Sequence, residues 1–257
     1  MSDPALEVIE LSKSFGGVQA CDKVSFTVPH GSLTAVIGPN GAGKTTVFNL
    51  VTNLYAADAG EVRFYGTRLN DMLPVEVAKL GLIRTFQTAR IYPGMTALEN
   101  VLAGAHLHVR TPAWRQMLWL AGAQREERAL AARATALLEL AGLSRFRDDA
   151  ATDLPMGGQK LLEVVRALMS EPRLLLLDEP AAGLNDAETE ELAELLRAVR
   201  DAGISVVVVE HNMSLVMGVA DQVIVLDAGS VVASGSPREI QQDKRVIAAY
   251  VGTEGVA

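Results

Sequence analysis

Nine consecutive residues, Gly38-Pro39-Asn40-Gly41-Ala42-Gly43-Lys44-Thr45-Thr46, have the types and spacing to hold a polyphosphate. They fit G-x-x-x-x-G-K-[ST], a pattern that signifies a phosphate-binding loop only between a strand and a helix. The apolar run Leu33-Thr34-Ala35-Val36-Ile37 precedes them, and Val47-Phe48-Asn49-Leu50 reads as the first turns of a helix. Glycines let the backbone adopt conformations closed to residues with a Cβ, so that successive N–H groups can turn inward around an anion. The helix behind adds its positive N-terminal end. Lys44 is expected to reach the β- and γ-phosphates, and the Thr45 hydroxyl to ligate Mg²⁺.

A second constellation lies in the final third. Leu174-Leu175-Leu176-Leu177 runs directly into Asp178-Glu179-Pro180. A buried strand ending in two acids sets them at the carboxyl edge of an α/β sheet, where such sheets bind ligands. Asp178 then suits a Mg²⁺ ion held through water, and Glu179 suits orienting or deprotonating an attacking water. Val206 to Val209 is a further apolar run, followed by Glu210-His211. Such a histidine could donate to a γ-phosphate oxygen as charge shifts during transfer, or it could be a core residue.

The elements that must position these groups read as α/β. Residues 6 to 29 look like antiparallel strands, with Val24, Phe26 and Val28 alternating with Ser25 and Thr27. Phe15 sits in a turn before them and serves equally as a core anchor or as a stacking face for a base. Gly60 to Gly66 is another strand. From Ala97 to Leu143 the pattern is helical, punctuated by Pro112 and Gly122 and stopped by Gly142. Arg110, Arg115, Arg125, Arg128 and Arg133 lie there among Glu126, Glu127 and Glu139, as on a solvated face. Trp114, Met117, Leu118 and Leu120 form an apolar stripe fit for core packing or for docking. Asp186 to Ala202 reads as a helix stopped by Gly203, Asp227-Ala228-Gly229-Ser230 as a hairpin turn, and Pro237 to Tyr250 as one last helix.

The totals set limits. In 257 residues, 49% hydrophobic and 21% charged, there is material for a sizeable core. A net charge of -8 argues against a nucleic-acid partner, which calls for clustered Lys and Arg. The single Cys21 forms no internal disulfide and reads as a small buried residue. No run approaches the ~18 apolar residues needed to cross a bilayer, so the chain is expected to be soluble and to meet a membrane only through a partner.

Taken in order, Gly38–Thr46, Gln87, Leu154–Gln159, Asp178–Glu179 and His211 resemble the ATP-binding-cassette ATPases over essentially the whole chain. The resemblance implies an α/β fold: a P-loop domain with a mostly parallel core sheet, an antiparallel β subdomain and an inserted α-helical subdomain. It implies a single domain, 1–257, with the core in 1–87 and 159–250 and the helices in 88–158. It implies ATP hydrolysis with Mg²⁺. It further implies catalytic roles for Lys44, Glu179, His211 and Gln87, and metal binding by Thr45, Gln87 and Asp178. Phe15 matches the base-stacking position, and Gly157 would contact a partner's ATP. Ala182-Gly183-Leu184-Asn185 matches the loop after the catalytic glutamate.

Within that family, four stretches are similar to the G-type ATP-binding subunit of branched-chain amino acid importers. They are Ile83 to Gln87, Leu98 to His106, Asp178 to Asn185 and Glu210 to Met213, and the ending Val246 to Gly252 is similar too. The likeness implies membrane-spanning permease subunits, a second, unlike ATPase subunit or a second copy of this chain, and indirectly an extracytoplasmic solute-binding protein. It places the chain peripherally on the cytoplasmic face of the inner membrane. Urea or amide importers, lipid exporters and non-transport cassettes are the alternatives. One departure stands out: where the family signature is L-S-G-G-Q, this chain has Leu154-Pro155-Met156-Gly157-Gly158-Gln159. Proline brings neither hydroxyl nor N–H to the serine position.

Overall fold

A computed structural model describes residues 4–85, 91–107 and 121–251. In chain order the strands are β1 (Leu6–Phe15), β2 (Val18–Val28), β3 (Leu33–Ile37), β4 (Ala59–Phe64), β5 (Thr67–Arg68), β6 (Leu82–Arg84), β7 (Leu174–Asp178), β8 (Ser205–Val209), β9 (Gln222–Asp227) and β10 (Ser230–Gly235). The α-helices are α1 (Lys44–Val51), α2 (Pro74–Lys79), α3 (Ala97–Ala103), α4 (Ala121–Leu140), α5 (Met156–Leu168), α6 (Asp186–Asp201), α7 (Met213–Val219), α8 (Pro237–Gln242) and α9 (Lys244–Val251). The chain divides into two compact units, one of Met1–Arg84, Arg173–Ala182 and Leu196–Ala257, the other of Thr85–Pro172 and Gly183–Leu195.

The first unit holds two sheets. The larger has the order β10-β9-β3-β8-β7-β6, and the smaller β2-β1-β4-β5. In the larger sheet β3 pairs in parallel with β8 and β9, and β7 with β6 and β8; β10 runs antiparallel to β9. Every residue of β3, β7 and β8 is buried. That explains their unbroken apolar runs, since a parallel sheet covered on both faces has no side to keep polar. The smaller sheet is antiparallel throughout. Phe48, Leu50 and Val51 of α1 share one core cluster with Leu11, Val24 and Phe64 of the small sheet and Leu176, Val207 and Ile224 of the large one. Registers then fix the site: Asp178 stands opposite Val209, and Val209 opposite Val36, so β3, β7 and β8 end together.

The second unit is helical among its described residues. Thr96 and Glu99 form a capping box at α3, which satisfies two N–H groups that a helix start leaves open. Gly104 lets α3 end against α5, because a Cβ there would lie 2.1 Å from the Arg166 carbonyl oxygen.

Three expectations change in detail. Phe15 ends β1, and Gly16-Gly17 makes the turn. The pattern from Ala97 to Leu143 resolves into α3, a short 3₁₀ turn at Gly104–Leu107 and α4; Arg110, Arg115, Trp114, Met117, Leu118 and Leu120 lie outside the described residues. The last helix is two helices, because Asp243 is extended at φ -75° and ψ 116°. Its carboxylate accepts from the Arg245 N–H at 2.8 Å. Aspartate offers the backbone such a local bond in place of the helix ladder, and a new helix starts from it.

Candidate nucleotide site

The loop from β3 to α1 is shaped by two close approaches. A Cβ on Gly38 would lie 2.0 Å from the Leu226 carbonyl oxygen, and one on Gly43 2.5 Å from that of Ala20. Gly43, at φ +95°, caps α1 without a side chain, so the helix begins on bare backbone. Ala42 N–H closes the turn onto the Pro39 carbonyl at 3.1 Å. Asn40, Gly41 and Thr45 are exposed, and Thr46 is half-buried. Lys44 is 8% exposed and bends back over the loop, donating to the carbonyls of Gly38 at 2.7 Å and Pro39 at 3.0 Å. Burial pushes its pKa down, and the carboxylates of Glu179 and Asp178 pull it part of the way back. A lysine folded over the loop at the start of a helix capped by bare backbone has the donors to hold an anion.

Asp178 ends β7 and is held by Arg84 of β6, whose Nη2 donates to Oδ2 at 2.9 Å with both side chains buried. The Arg84 Nη1 donates to Asn49 of α1 at 2.6 Å. Arg84 thus joins the acid strand to the helix of the phosphate loop. Nothing in the motif spacing marks it, since its partner lies 94 positions away.

Glu179 sits at φ +48°, a conformation a residue with a Cβ adopts at a cost of about 1–3 kcal/mol. Its N–H donates to the Val209 carbonyl at 2.9 Å, so the bend is held against β8. Glu210 is wholly buried. Its Oε1 accepts from Ala181 N–H at 2.7 Å, and its Oε2 from the N–H groups of His211 at 3.1 Å and Asn212 at 3.2 Å. One carboxylate therefore joins the turn carrying Glu179 to the turn carrying His211. Sequence reading named Glu210 only as the neighbour of His211, and only the buried, doubly occupied carboxylate reveals its role.

His211 is exposed at the end of β8, not packed in the core. Phe15 is 43% exposed, edge-on to Tyr55 at 5.4 Å, with the Lys13 ammonium 5.4 Å from its ring centre. Gln87 lies outside the described residues. In the second unit Pro155 caps α5 with no side-chain bond. Gly157 N–H donates to Glu188 at 3.2 Å, and Gln159 holds the Leu154 carbonyl at 2.9 Å. The phosphate loop, the acid pair and His211 are thus brought together in one unit, while Gly157 lies in the other.

A family model described as ABC transporter matches residues 21–182, from β2 through the acid pair. The chain belongs to the ABC transporter ATP-binding family. A second model, described as branched-chain amino acid ATP-binding cassette transporter, matches residues 230–256. The cassette is 39% identical over 253 residues to the high-affinity branched-chain amino acid transport ATP-binding protein BraF of Pseudomonas aeruginosa, covering 98% of this chain and 99% of that one. It is 37% identical to the corresponding protein LivG of Escherichia coli K12, with the same coverage. Among solved structures it is similar to an ABC transporter cassette in its ADP conformation, with TM-score 0.83 and 31% identity over 97% of this chain and 99% of that one. It is also similar to a dimeric bacterial cassette, with TM-score 0.75 and 27% identity over 91% of this chain and 99% of that one. It is a nucleotide-binding ATPase of the transporter kind. No described helix is long and apolar enough to cross a membrane itself.

Proposed function

We propose that this cassette hydrolyses ATP to drive an importer of small polar solutes, with branched-chain amino acids as the substrate. The near-full-length likeness to BraF, extending through the separately matched segment 230–256, carries this reading. Lys44 binds the phosphates, Phe15 stacks the base, Glu179 orients and deprotonates the attacking water, and His211 steadies the γ-phosphate. The donor set also fits Mg²⁺. A threonine hydroxyl and one carboxylate beside a phosphate cradle suit an ion that keeps several waters, so Thr45, Asp178 and Gln87 would hold it. Bound there, Mg²⁺ supplies positive charge to the phosphates.

Two such cassettes closing head to tail would place each ATP against the partner's signature, with Gly157 facing the partner's nucleotide. Loss of the γ-phosphate contacts on hydrolysis would reopen the pair. Because Pro155 removes the signature hydroxyl, the site this signature serves is the weaker of two, and an unlike partner with an intact signature completes the stronger. The pair sits peripherally on the cytoplasmic face of the membrane. Reconstitution with the permease, the partner ATPase and the solute-binding protein in liposomes tests the reading. ATP-dependent leucine uptake is expected, with none from Glu179→Gln. Uptake of urea or short amides in its place moves the assignment to those importers.

A further inference from the structure

The N-terminus of the signature helix has an unusual source of capping. In α5 the residue at the cap is Pro155, which has no hydroxyl and makes no side-chain bond. A serine there would accept from the N–H of the second or third helical residue, Gly157 or Gly158. Here the Gly157 N–H donates instead to Glu188 Oε1 at 3.2 Å. Glu188 lies 31 positions away, in the first turn of α6. Its other oxygen, Oε2, accepts from Asn185 N–H at 3.0 Å, while Asn185 Oδ1 accepts from Glu188 N–H at 3.0 Å. The carboxylate therefore caps two helices at once, one through each oxygen.

The surrounding packing is shaped to this contact. A Cβ on Gly157 would lie 2.7 Å from Glu188 Cγ and Oε1, so the close approach requires glycine. The same two segments meet again where a Cβ on Gly183, at φ +81°, would come 3.0 Å from Met156 Sδ. A carboxylate at the end of a helix also meets the positive pole of its dipole.

We propose that Glu188 is a positioning residue that replaces the missing serine as cap of the signature helix and ties that helix to the turn at Asn185. The two segments then move as one body. The arrangement of the Gly157 amide depends on the loop that follows the catalytic glutamate. The consequence for hydrolysis rests on the reading that Gly157 faces a partner's ATP; the tie itself does not.

Amide hydrogen exchange on the cassette, followed on peptides covering 155–160 and 183–188, tests the tie. Glu188→Ala is expected to speed exchange about tenfold in both peptides, the worth of a lost cap. Glu188→Gln, with one accepting oxygen, is expected to keep protection in only one of them. Pro155→Ser added to Glu188→Ala is expected to restore 155–160 and leave 183–188 open. A cap serving α6 alone would loosen only 183–188; that result, or failure of Pro155→Ser to restore 155–160, overturns the proposal. In the reconstituted transporter, Glu188→Ala is expected to lower kcat with KM for ATP unchanged, because the chain's own phosphate loop is untouched. Exchange behaving as stated with kcat unaltered leaves the tie standing and overturns the placing of Gly157 against a partner's ATP.

Discussion

Lys44 is subject to opposing electrostatic demands, and their balance makes a measurable link between nucleotide and proton. Burial disfavours its ammonium, while Glu179 and Asp178 favour it, with burial the larger effect. A bound triphosphate adds negative charge, which raises the pKa again. The bound form then holds the proton more tightly than the free form. Between the two pKa values binding takes up protons, and affinity falls as pH rises through the free protein's Lys44 pKa. Calorimetric titration with ATP in two buffers of different ionisation heat should show that uptake, and Lys44→Met should abolish it. At Glu179 the expectation is kinetic. Glutamine keeps the shape and cannot take a proton, so Glu179→Gln should cut kcat by roughly 10²–10⁴ while ATP still binds. Turnover near wild type in that variant would move the general base elsewhere.

At the scale of elements, what holds the site is a set of buried carboxylates crossing between strand ends. Glu210 accepts three backbone N–H bonds from the turns after β7 and β8. In Glu210→Gln the amide carbonyl keeps one side of this arrangement, and the NH₂ group faces an N–H it cannot accept from. A hydrogen bond to a charged group contributes about 1.5–3 kcal/mol, so the variant should unfold at clearly lower denaturant concentration. Its kcat should fall more than its ATP affinity, since Lys44 and the loop amides are left in place. An unchanged kcat with lowered stability would make Glu210 a structural residue only. The phosphate loop, the acid pair and the buried strands were legible in the sequence because their chemistry is local: fixed spacing, an apolar run, then the reactive groups. Arg84, Glu210 and Glu188 were not legible as partners, because each acts on a segment brought near only by folding. The break at Asp243 was missed for a different reason. Helical periodicity continues across it, and a single aspartate bonding to Arg245 decides the matter.

At the scale of the whole molecule, the smaller sheet and the nucleotide site are parts of one cooperative structure, and Cys21 reports on it. Its thiol is fully buried in β2, and burial pushes its pKa up to about 11, so native protein presents almost no thiolate to an alkylating agent. The strand around it is bonded to the phosphate loop through the β9–β10 turn: Asp22 N–H donates to the Gly229 carbonyl at 2.8 Å, and Gly229 N–H to that of Ala42 at 3.2 Å. Gly229 also fits closely over this strand, for a Cβ on it would lie 3.0 Å from the Ala20 carbonyl oxygen. Exposure of the thiol therefore requires breaking contacts that reach the loop. A ligand that binds only the closed form lowers the open population by the factor 1 + [L]/Kd. MgATP at a hundred times its Kd should then slow alkylation of Cys21 about a hundredfold, with no such protection in Lys44→Met. Modification that proceeds at the same rate with and without MgATP would mean that β2 opens alone, and that the two sheets of the first unit are held together less tightly than their shared core and bonded turn require.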